Sequence, residues 1–330
     1  MALVSYIIPI YNCSAFVEKC AISLLEQDYP EIEYIFVDDC STDDSIAKIG
    51  KTISLYPNRV ANVRIVRHIR NMGSATARNT GLSVVSGQFV MFADGDDWID
   101  ANSVSTMVSA IENADADIAY CDYFETLNNN DRLVRQGFGN ERETCLEAML
   151  NGDMHGSTCN KIYRRSFLEE AGQSFLDGAD LFEDVGWNLR LFAATDRIAY
   201  LPKAFYHYVQ GNGQSIIKSM QNPNSRRMRS LQRVWNVDFA CRYLQRCGLM
   251  KGRVLAAANE WKLMAKNDLL SNHRYSWKRW IVLFPEGDTS IRGSQKITRN
   301  YKILLLCLHN RLLWLYWFFA LLSRIALCRK

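Results

Sequence analysis

The sequence predicts an α/β protein: a doubly wound, mainly parallel sheet flanked by helices, with a basic helical extension behind it. Three observations predict it. Segments of strand and helix periodicity alternate from residue 3 to residue 93. The apolar run Gln88-Phe89-Val90-Met91-Phe92-Ala93 reads as a buried parallel strand and ends in Asp94-Gly95-Asp96-Asp97, at the strand end where open α/β sheets bind ligands. Charge is divided along the chain. Residues 1–217 carry 17 Lys and Arg against 30 Asp and Glu, a balance of −13, and residues 218–330 carry 22 against 5, a balance of +17.

The elements follow in order. Leu3 to Ile10 is a strand, and Phe16, Cys20, Leu24 and Leu25 mark a helix over Ala15–Gln27. Ile32 to Val37 is the second strand. Thr42 to Leu55 is the next helix, with Ser41 and Asp43 as caps. Asn62–Val66, Ser74–Val85 and Phe89–Ala93 continue the alternation, which requires right-handed crossovers. Asp117–Tyr123 is a further strand, and Asn128-Asn129-Asn130-Asp131 a turn. Ser157–Phe167 and the helix Asp180–Ala194 stay with this domain, and Ile198–Tyr208 reads as strand, proline, strand. After Gly211-Asn212-Gly213 the composition changes. Arg226–Leu270 is basic and helical, with Leu231, Val234, Val237 and Ala240 on its apolar face. The expected division is therefore a domain over 1–217 and a basic helical region over 218–330.

Apolar residues make up 48% of the 330 and charged residues 22%, the balance of a globular protein. Ten cysteines are scattered without a C-x-x-C pair, which speaks against a zinc site. The chain opens on a strand-like run without a secretory pattern, so a reducing cytoplasm and free thiols are expected. Three carboxylates in four positions at Asp94–Asp97 repel one another. They suit a divalent cation, which would keep positions open for diphosphate oxygens, or a solvated Asp-Gly turn.

Four segments now stand in order: Val37-Asp38-Asp39-Cys40-Ser41-Thr42-Asp43, Asn71-Met72-Gly73-Ser74-Ala75-Thr76-Ala77-Arg78-Asn79, Asp94-Gly95-Asp96-Asp97 and Glu183-Asp184-Val185-Gly186-Trp187. With Ile8-Pro9-Ile10-Tyr11-Asn12 they resemble the inverting, GT-A fold glycosyltransferases of family 2, over residues 1 to 217. Two positions depart from the usual pattern: Cys40, where the family has Gly, and Trp187, where a smaller aromatic is common.

The resemblance implies a nucleoside diphosphate sugar donor and a glycan or lipid-linked acceptor in cell-surface polysaccharide synthesis. It places Pro9, Tyr11 and Asp39 around the base, Asp94 at the ribose and Asp96 on Mn²⁺ or Mg²⁺. It makes Asp184 the general base, with Glu183 as first alternative. The residues themselves agree. Asp39 can accept a hydrogen bond from a base ring N–H, and Asp38 and Asp39 equally suit a turn or cap. The segment from Asn71 puts a loop and a helix N-terminus, favourable for phosphate or carboxylate, near the cleft. Arg78 can pair with Asp39 or Asp94 or contact the nucleotide. Asp97 can help the donor or acceptor, or cap a helix near Ile99. The resemblance also places Asn160 and Lys161 just before the acceptor region, where Lys161 can pair with Asp184 or a substrate anion, or be a strand-end surface lysine. It lets His207 face the diphosphate and its metal, with a packed or exposed histidine as the alternative.

In the tail, Leu304 to Leu322 is rich in Leu, Trp, Tyr and Phe but interrupted by His309-Asn310-Arg311. The uninterrupted run Leu312–Leu322 is too short to span a membrane, which takes about 20 apolar residues. An interfacial helix over 303–328, peripheral on the cytoplasmic face of an anionic membrane, is expected. Trp277 and Trp280 with Lys278-Arg279 form a second contact, and a core helix is the alternative. No nucleic-acid motif is present. Two other functions compete: an inactive GT-A scaffold, which intact Asp96 and Asp184 oppose, and a sugar-nucleotide pyrophosphorylase. The latter needs a Gly-rich N-terminal loop, and residues 9–19 contain no Gly.

Overall fold

In the computed structural model, residues 1–128, 130–210, 223–270 and 276–319 are described. Nine strands form one sheet in the order β3-β2-β1-β4-β8-β6-β9-β5, with β7 on β6. The first four, β1 (Val4–Ile10), β2 (Ile32–Asp38), β3 (Val63–Arg67) and β4 (Phe89–Phe92), are parallel neighbours. β1, β2 and β4 read as near-continuous apolar runs because helices cover both faces. β3, at the edge, instead exposes Arg64 and Arg67. The helices between them are α1 (Val17–Leu25), α2 (Ser45–Ser54) and α3 (Ser74–Leu82).

Beyond β4 the sheet turns mixed. The chain there runs through β5 (Trp98–Ile99), α4 (Ser103–Asn113), β6 (Ile118–Leu127), β7 (Asn130–Val134), α5 (Arg142–Asn151), β8 (Lys161–Arg164), α6 (Arg165–Ala171), α7 (Glu183–Ala193) and β9 (Ile198–Val209). β8 runs antiparallel between β4 and β6, and β9 runs parallel to β6. The mixed, mainly parallel sheet flanked by helices is the predicted class.

Several boundaries differ from the sequence reading. α2 starts at Ser45 rather than Thr42: the Asp43 carboxylate accepts the Ser45 and Ser14 N–H groups at 3.0 Å, while Ser41 donates its N–H to Asp38 instead of capping. No helix begins near Ile99. Trp98–Ile99 is strand β5, so Asp97 caps nothing there. β9 is one strand with two irregularities against β6: the register jumps from Leu201 opposite Cys121 to Ala204 opposite Asp122, past Pro202 and Lys203, and then to Tyr206 opposite Tyr123, past Phe205. The 128–131 turn is tighter than expected because β7 already begins at Asn130, with Asn128 at φ 50°.

The basic half is not one long helix. α8 (Pro223–Arg246) and α9 (Gly252–Leu270) are separated by a turn containing Gly248 at φ 70°. Val234, Val237 and Ala240 are buried, with Leu231 partly so, and these join Val254, Ala257, Ala258 and Trp261 in the same core as the sheet. Asn236 of α8 donates to the Ala179 and Leu181 carbonyls, just before α7. The stretch 211–222, which holds Gly211-Asn212-Gly213 and the expected boundary at 217, lies outside the described residues.

A second, smaller core unites Leu263, Trp280, Ile291, Ile297, Leu305, Leu308 and Tyr316. It contains residues of α10 (Ser276–Val282) and α11 (Arg299–His309). This corrects the predicted tail. α11 ends at His309, Arg311 stands at φ 58°, and a separate helix covers 313–319, so 303–328 is not a continuous interfacial helix. Residues 320–328 of it lie outside the described residues. Trp280 is core: its indole N–H donates to Asn267, and the Lys266 ammonium lies 3.8 Å from its ring centroid. The side chains of Leu312, Trp314, Trp317 and Phe318 remain exposed. No described helix is long and apolar enough to cross a membrane.

Candidate active site

The site forms at the carboxyl ends of β1, β2 and β4, where the chain leaves the sheet. After β2, Asp38 accepts the Ser41 N–H at 2.8 Å and folds the turn. That turn puts Cys40 at φ 63°, the left-handed region that costs a side chain and suits glycine. Asp39 is buried. Its Oδ1 accepts the Met72 N–H (2.8 Å) and faces His68 Nδ1 (2.7 Å), and its Oδ2 accepts the Gly73 N–H (2.8 Å). Asp39 thus shapes the Asn71–Gly73 loop, and Asn71 reaches back to the Asp39 carbonyl. Pro9 and Tyr11, the latter half-exposed, flank the same strand ends.

Gly73 stands at φ 90°, and a Cβ there would lie 2.2 Å from Asp180 Oδ2. The reason is that Asp180 accepts the Ala75 N–H at 3.1 Å. The α3 N-terminus, where sequence reasoning expects an anion, holds this carboxylate. Burial raises the Asp180 pKa, against the backbone hydrogen bond that lowers it.

Arg78 of α3 is the centre of the site. Its guanidinium is buried and donates from Nη1 to Glu183 Oε1 (2.7 Å) and from Nη2 to Asp94 Oδ1 (2.8 Å). It does not pair with Asp39, the other partner considered, which His68 occupies. Ser74 also donates to Glu183 Oε1 at 2.8 Å. Glu183 is pushed up to about 7 by burial and by the Asp184 charge, against the pull of Arg78.

Asp184, half-buried in the first turn of α7, accepts the Val185 N–H at 2.8 Å. Burial raises its pKa. Arg78 and Lys161 oppose that rise, and Asp94 adds to it. α7 enters through Phe182 in the left-handed region at φ 63°. Lys161 is neither a surface lysine nor an ion-pair partner of Asp184. It is fully buried, and its ammonium donates to the His155 and Ser157 carbonyls (2.9 and 2.6 Å) and to Asn160 Oδ1 (2.8 Å). Burial lowers it to about 8. Asn160 donates to the Cys121 carbonyl, so the pair holds the 155–160 loop rather than facing solvent.

The acidic run divides by environment. Asp94 and Asp96 are partly accessible, whereas Asp97 is buried, accepting the Tyr206 hydroxyl (2.5 Å) and the Val209 N–H (2.8 Å). Burial, then the Asp96 and Asp94 charges, raises the Asp97 pKa. Asp97 therefore fastens β9 rather than reaching an acceptor. Trp98, His207 and Phe124 are cross-strand neighbours on one face, and His207 stacks between the two rings at 3.4 and 4.7 Å. Its ring nitrogens face Asp100 and Asp131. This corrects the expectation that His207 serves the metal.

The chain matches the family described as glycosyl transferase family 2 over residues 5–172. The chain belongs to that family. Among family members it is 30% identical to the uncharacterized glycosyltransferase EpsJ of Bacillus subtilis (strain 168) over 230 residues, 68% of this chain and 62% of EpsJ. It thus spans about three fifths of that relative's length. TarS 1–349 of Staphylococcus aureus superposes with a TM-score of 0.65 at 20% identity, covering 98% of this chain and 92% of that one. The mannosyltransferase PcManGT of Pyrobaculum calidifontis, in complex with GDP-Man and Mn²⁺, gives 0.56 at 17% identity, covering 98% and 83%. These likenesses show the GT-A fold.

The residues of this family 2 chain fit a divalent cation. The described residues hold no cluster of three or more His, Cys, Asp and Glu suited to a metal. Asp96 and the part of Asp94 that Arg78 leaves accessible offer hard oxygen donors, and one or two carboxylates completed by substrate phosphates is how Mg²⁺ is usually held. Sequence reasoning missed Ser74, His68, Tyr206, Tyr208 and Asp180. A signal existed for the two tyrosines: strand alternation in Tyr206-His207-Tyr208 puts both on the face opposite His207.

Proposed function

We propose that this glycosyltransferase moves a sugar from a nucleoside diphosphate sugar to a hydroxyl of a glycan or lipid-linked acceptor, with inversion, in cell-surface polysaccharide synthesis. The observation that carries the reading is the Arg78 bridge. One buried guanidinium ties Asp94, at the donor strand end, to Glu183, next to Asp184. Donor and base segments, distant in sequence, thereby share one rigid centre. Pro9, Tyr11 and Asn71, with the loop that buried Asp39 holds, bound the nucleotide side, Asp94 stands at the ribose, and Asp96 would hold Mn²⁺ or Mg²⁺, which when bound stabilises charge on the leaving diphosphate. Asp184 takes the acceptor hydroxyl's proton as it attacks the anomeric carbon. A carboxylate suits that task, and its raised pKa makes it a stronger base. With Asp184 as the base and Glu183 and Asp94 bound to Arg78, the reaction is a single displacement that inverts the anomeric carbon.

The exposed Leu312, Trp314, Trp317 and Phe318, in a region with a +17 balance, support peripheral attachment to an anionic cytoplasmic leaflet. The test is a panel of UDP, GDP and dTDP sugars with Mn²⁺ or Mg²⁺, read as nucleoside diphosphate release. Release is expected with at least one donor, lost reversibly on chelation and abolished in Asp96→Ala. Full activity in excess chelator refutes the metal role, and no release from any donor refutes the transferase reading.

A further inference from the structure

We propose that the rings of His155 and Tyr208, backed by Tyr123, form a platform for the sugar ring of the acceptor, so that the acceptor presents a pyranoside face rather than an open-chain polyol. The proposal rests on the transferase reading above. It starts from the backbone of His155, which is tied down to a degree no surface loop requires. Its N–H donates to Gln136 Oε1 at 2.6 Å, and Gln136 is held in turn through its own N–H on Asp122. Its carbonyl accepts the buried Lys161 ammonium at 2.9 Å. The next carbonyl, of Gly156, accepts Asn188 Nδ2 at 2.8 Å. Gly156 lies so close to α7 that a Cβ there would stand 2.6 Å from Val185 Cγ2. Side chains from three parts of the fold therefore fix half-buried His155 and its neighbour Gly156, and Gly156 stands against the residue that follows Asp184.

The ring is placed as firmly as the backbone. It lies 4.5 Å from the Tyr123 ring at 32° and 5.8 Å from Tyr208 at 52°. Tyr208, on β9, is half-buried beside it, and burial, then the charges of Asp97, Asp94, Asp96 and Asp184, raises its pKa. His155 is held neutral, pushed down to about 4 by burial and the Lys161 charge. The result is an uncharged aromatic pair whose loop packs, through Gly156, against the first turn of α7, where Asp184 stands. A pyranoside matches this surface. Its C–H face covers aromatic rings, and its hydroxyl edge meets carboxylates and phenol. Rigid support of this kind is what a positioning surface needs, because a displaced acceptor loses the reactive geometry. An open-chain polyol has hydroxyls on every side and no continuous C–H face to stack.

The test uses the full chain with Mg²⁺ and UDP or GDP, and saturation-transfer NMR with methyl β-glycosides of glucose, galactose, mannose and N-acetylglucosamine, with ribitol as the polyol. The expected result is saturation of ring C–H protons in at least one glycoside and none in ribitol. His155→Leu, which keeps volume but removes the π face, should reduce that signal about fivefold, the scale of one aromatic contact, and His155→Tyr should restore it. If His155→Leu does not fold, Tyr208→Leu carries the same expectation. Equal signals in wild type and the leucine variant, an equally strong ribitol signal, or no glycoside signal at millimolar concentration overturns the platform. Nucleoside diphosphate release by the wild type without acceptor tests the transferase reading separately, so the two can fail independently.

Discussion

Replacing Arg78 with Met should destabilise the fold, and more so at high pH than at low pH. Arg78 is 5% exposed and is the shared partner of Glu183 and Asp94. Met fills much of the same space but leaves both carboxylates without their cation. Removing one member of a buried ion pair costs about 3–5 kcal/mol. The Asp94 side chain is 34% exposed, so water restores part of its solvation, and the lower end, about 3 kcal/mol, is expected. The pH dependence comes from Glu183. Its folded-state pKa of about 7 lies above the ordinary 4.5, so the folded chain holds this proton more tightly than the unfolded chain. The resulting stability is complete below about 4.5 and is lost as the pH rises through about 7. Without Arg78 the carboxyl titrates higher, and the loss continues to higher pH. Between about pH 6 and pH 8 the variant loses roughly one further unit's worth, about 1.4 kcal/mol. Urea denaturation followed by tryptophan fluorescence at these two pH values measures it. Equal destabilisation at both, or a loss below about 1 kcal/mol at both, would refute the bridge as the organising contact.

Asp184→Asn should lower turnover by ~10²–10⁴ while donor affinity changes little, and it should remove the acid limb of the pH–rate profile, which in the wild type lies above the ordinary aspartate range; near wild-type turnover would move the base, with Glu183 next to be tested. Cys40→Gly should stabilise the chain by about 0.5–1 kcal/mol in thermal or urea denaturation, because a left-handed φ of 63° strains a side chain and not a glycine; a destabilised variant would mean that the thiol's packing outweighs the strain. Exchanging Trp314, Trp317 and Phe318 for Ser should abolish co-sedimentation with anionic liposomes at low salt and spare donor hydrolysis, because these exposed side chains lie outside the second core; wild-type protein that ignores such liposomes would leave the aromatic patch without a membrane role.

The parallel half of the sheet, the acidic strand end and the family are legible in the linear chain. Each is written in adjacent residues: apolar runs bounded by turns, three carboxylates after Ala93, a Glu-Asp pair opening a helix. Such patterns act through local backbone preference and burial, which a linear reading can follow. Tertiary structure decided which member of a motif does what. Asp96 and Asp97 are adjacent and chemically identical, yet Asp97 is buried because Tyr206 and Val209, on β9, come to meet it. Arg78 had Asp39, Asp94 or the nucleotide open to it in sequence, and the fold gave it Asp94 together with Glu183, 105 residues away. Lys161 became a buried anchor of the 155–160 loop because β8 entered the sheet antiparallel between β4 and β6. The tail broke after His309 because Leu305 and Leu308 found a core in α9 and α10, which no hydropathy count of the tail contains. Long-range pairing assigns these environments, and environment, rather than residue type, separates an accessible carboxylate from a structural one.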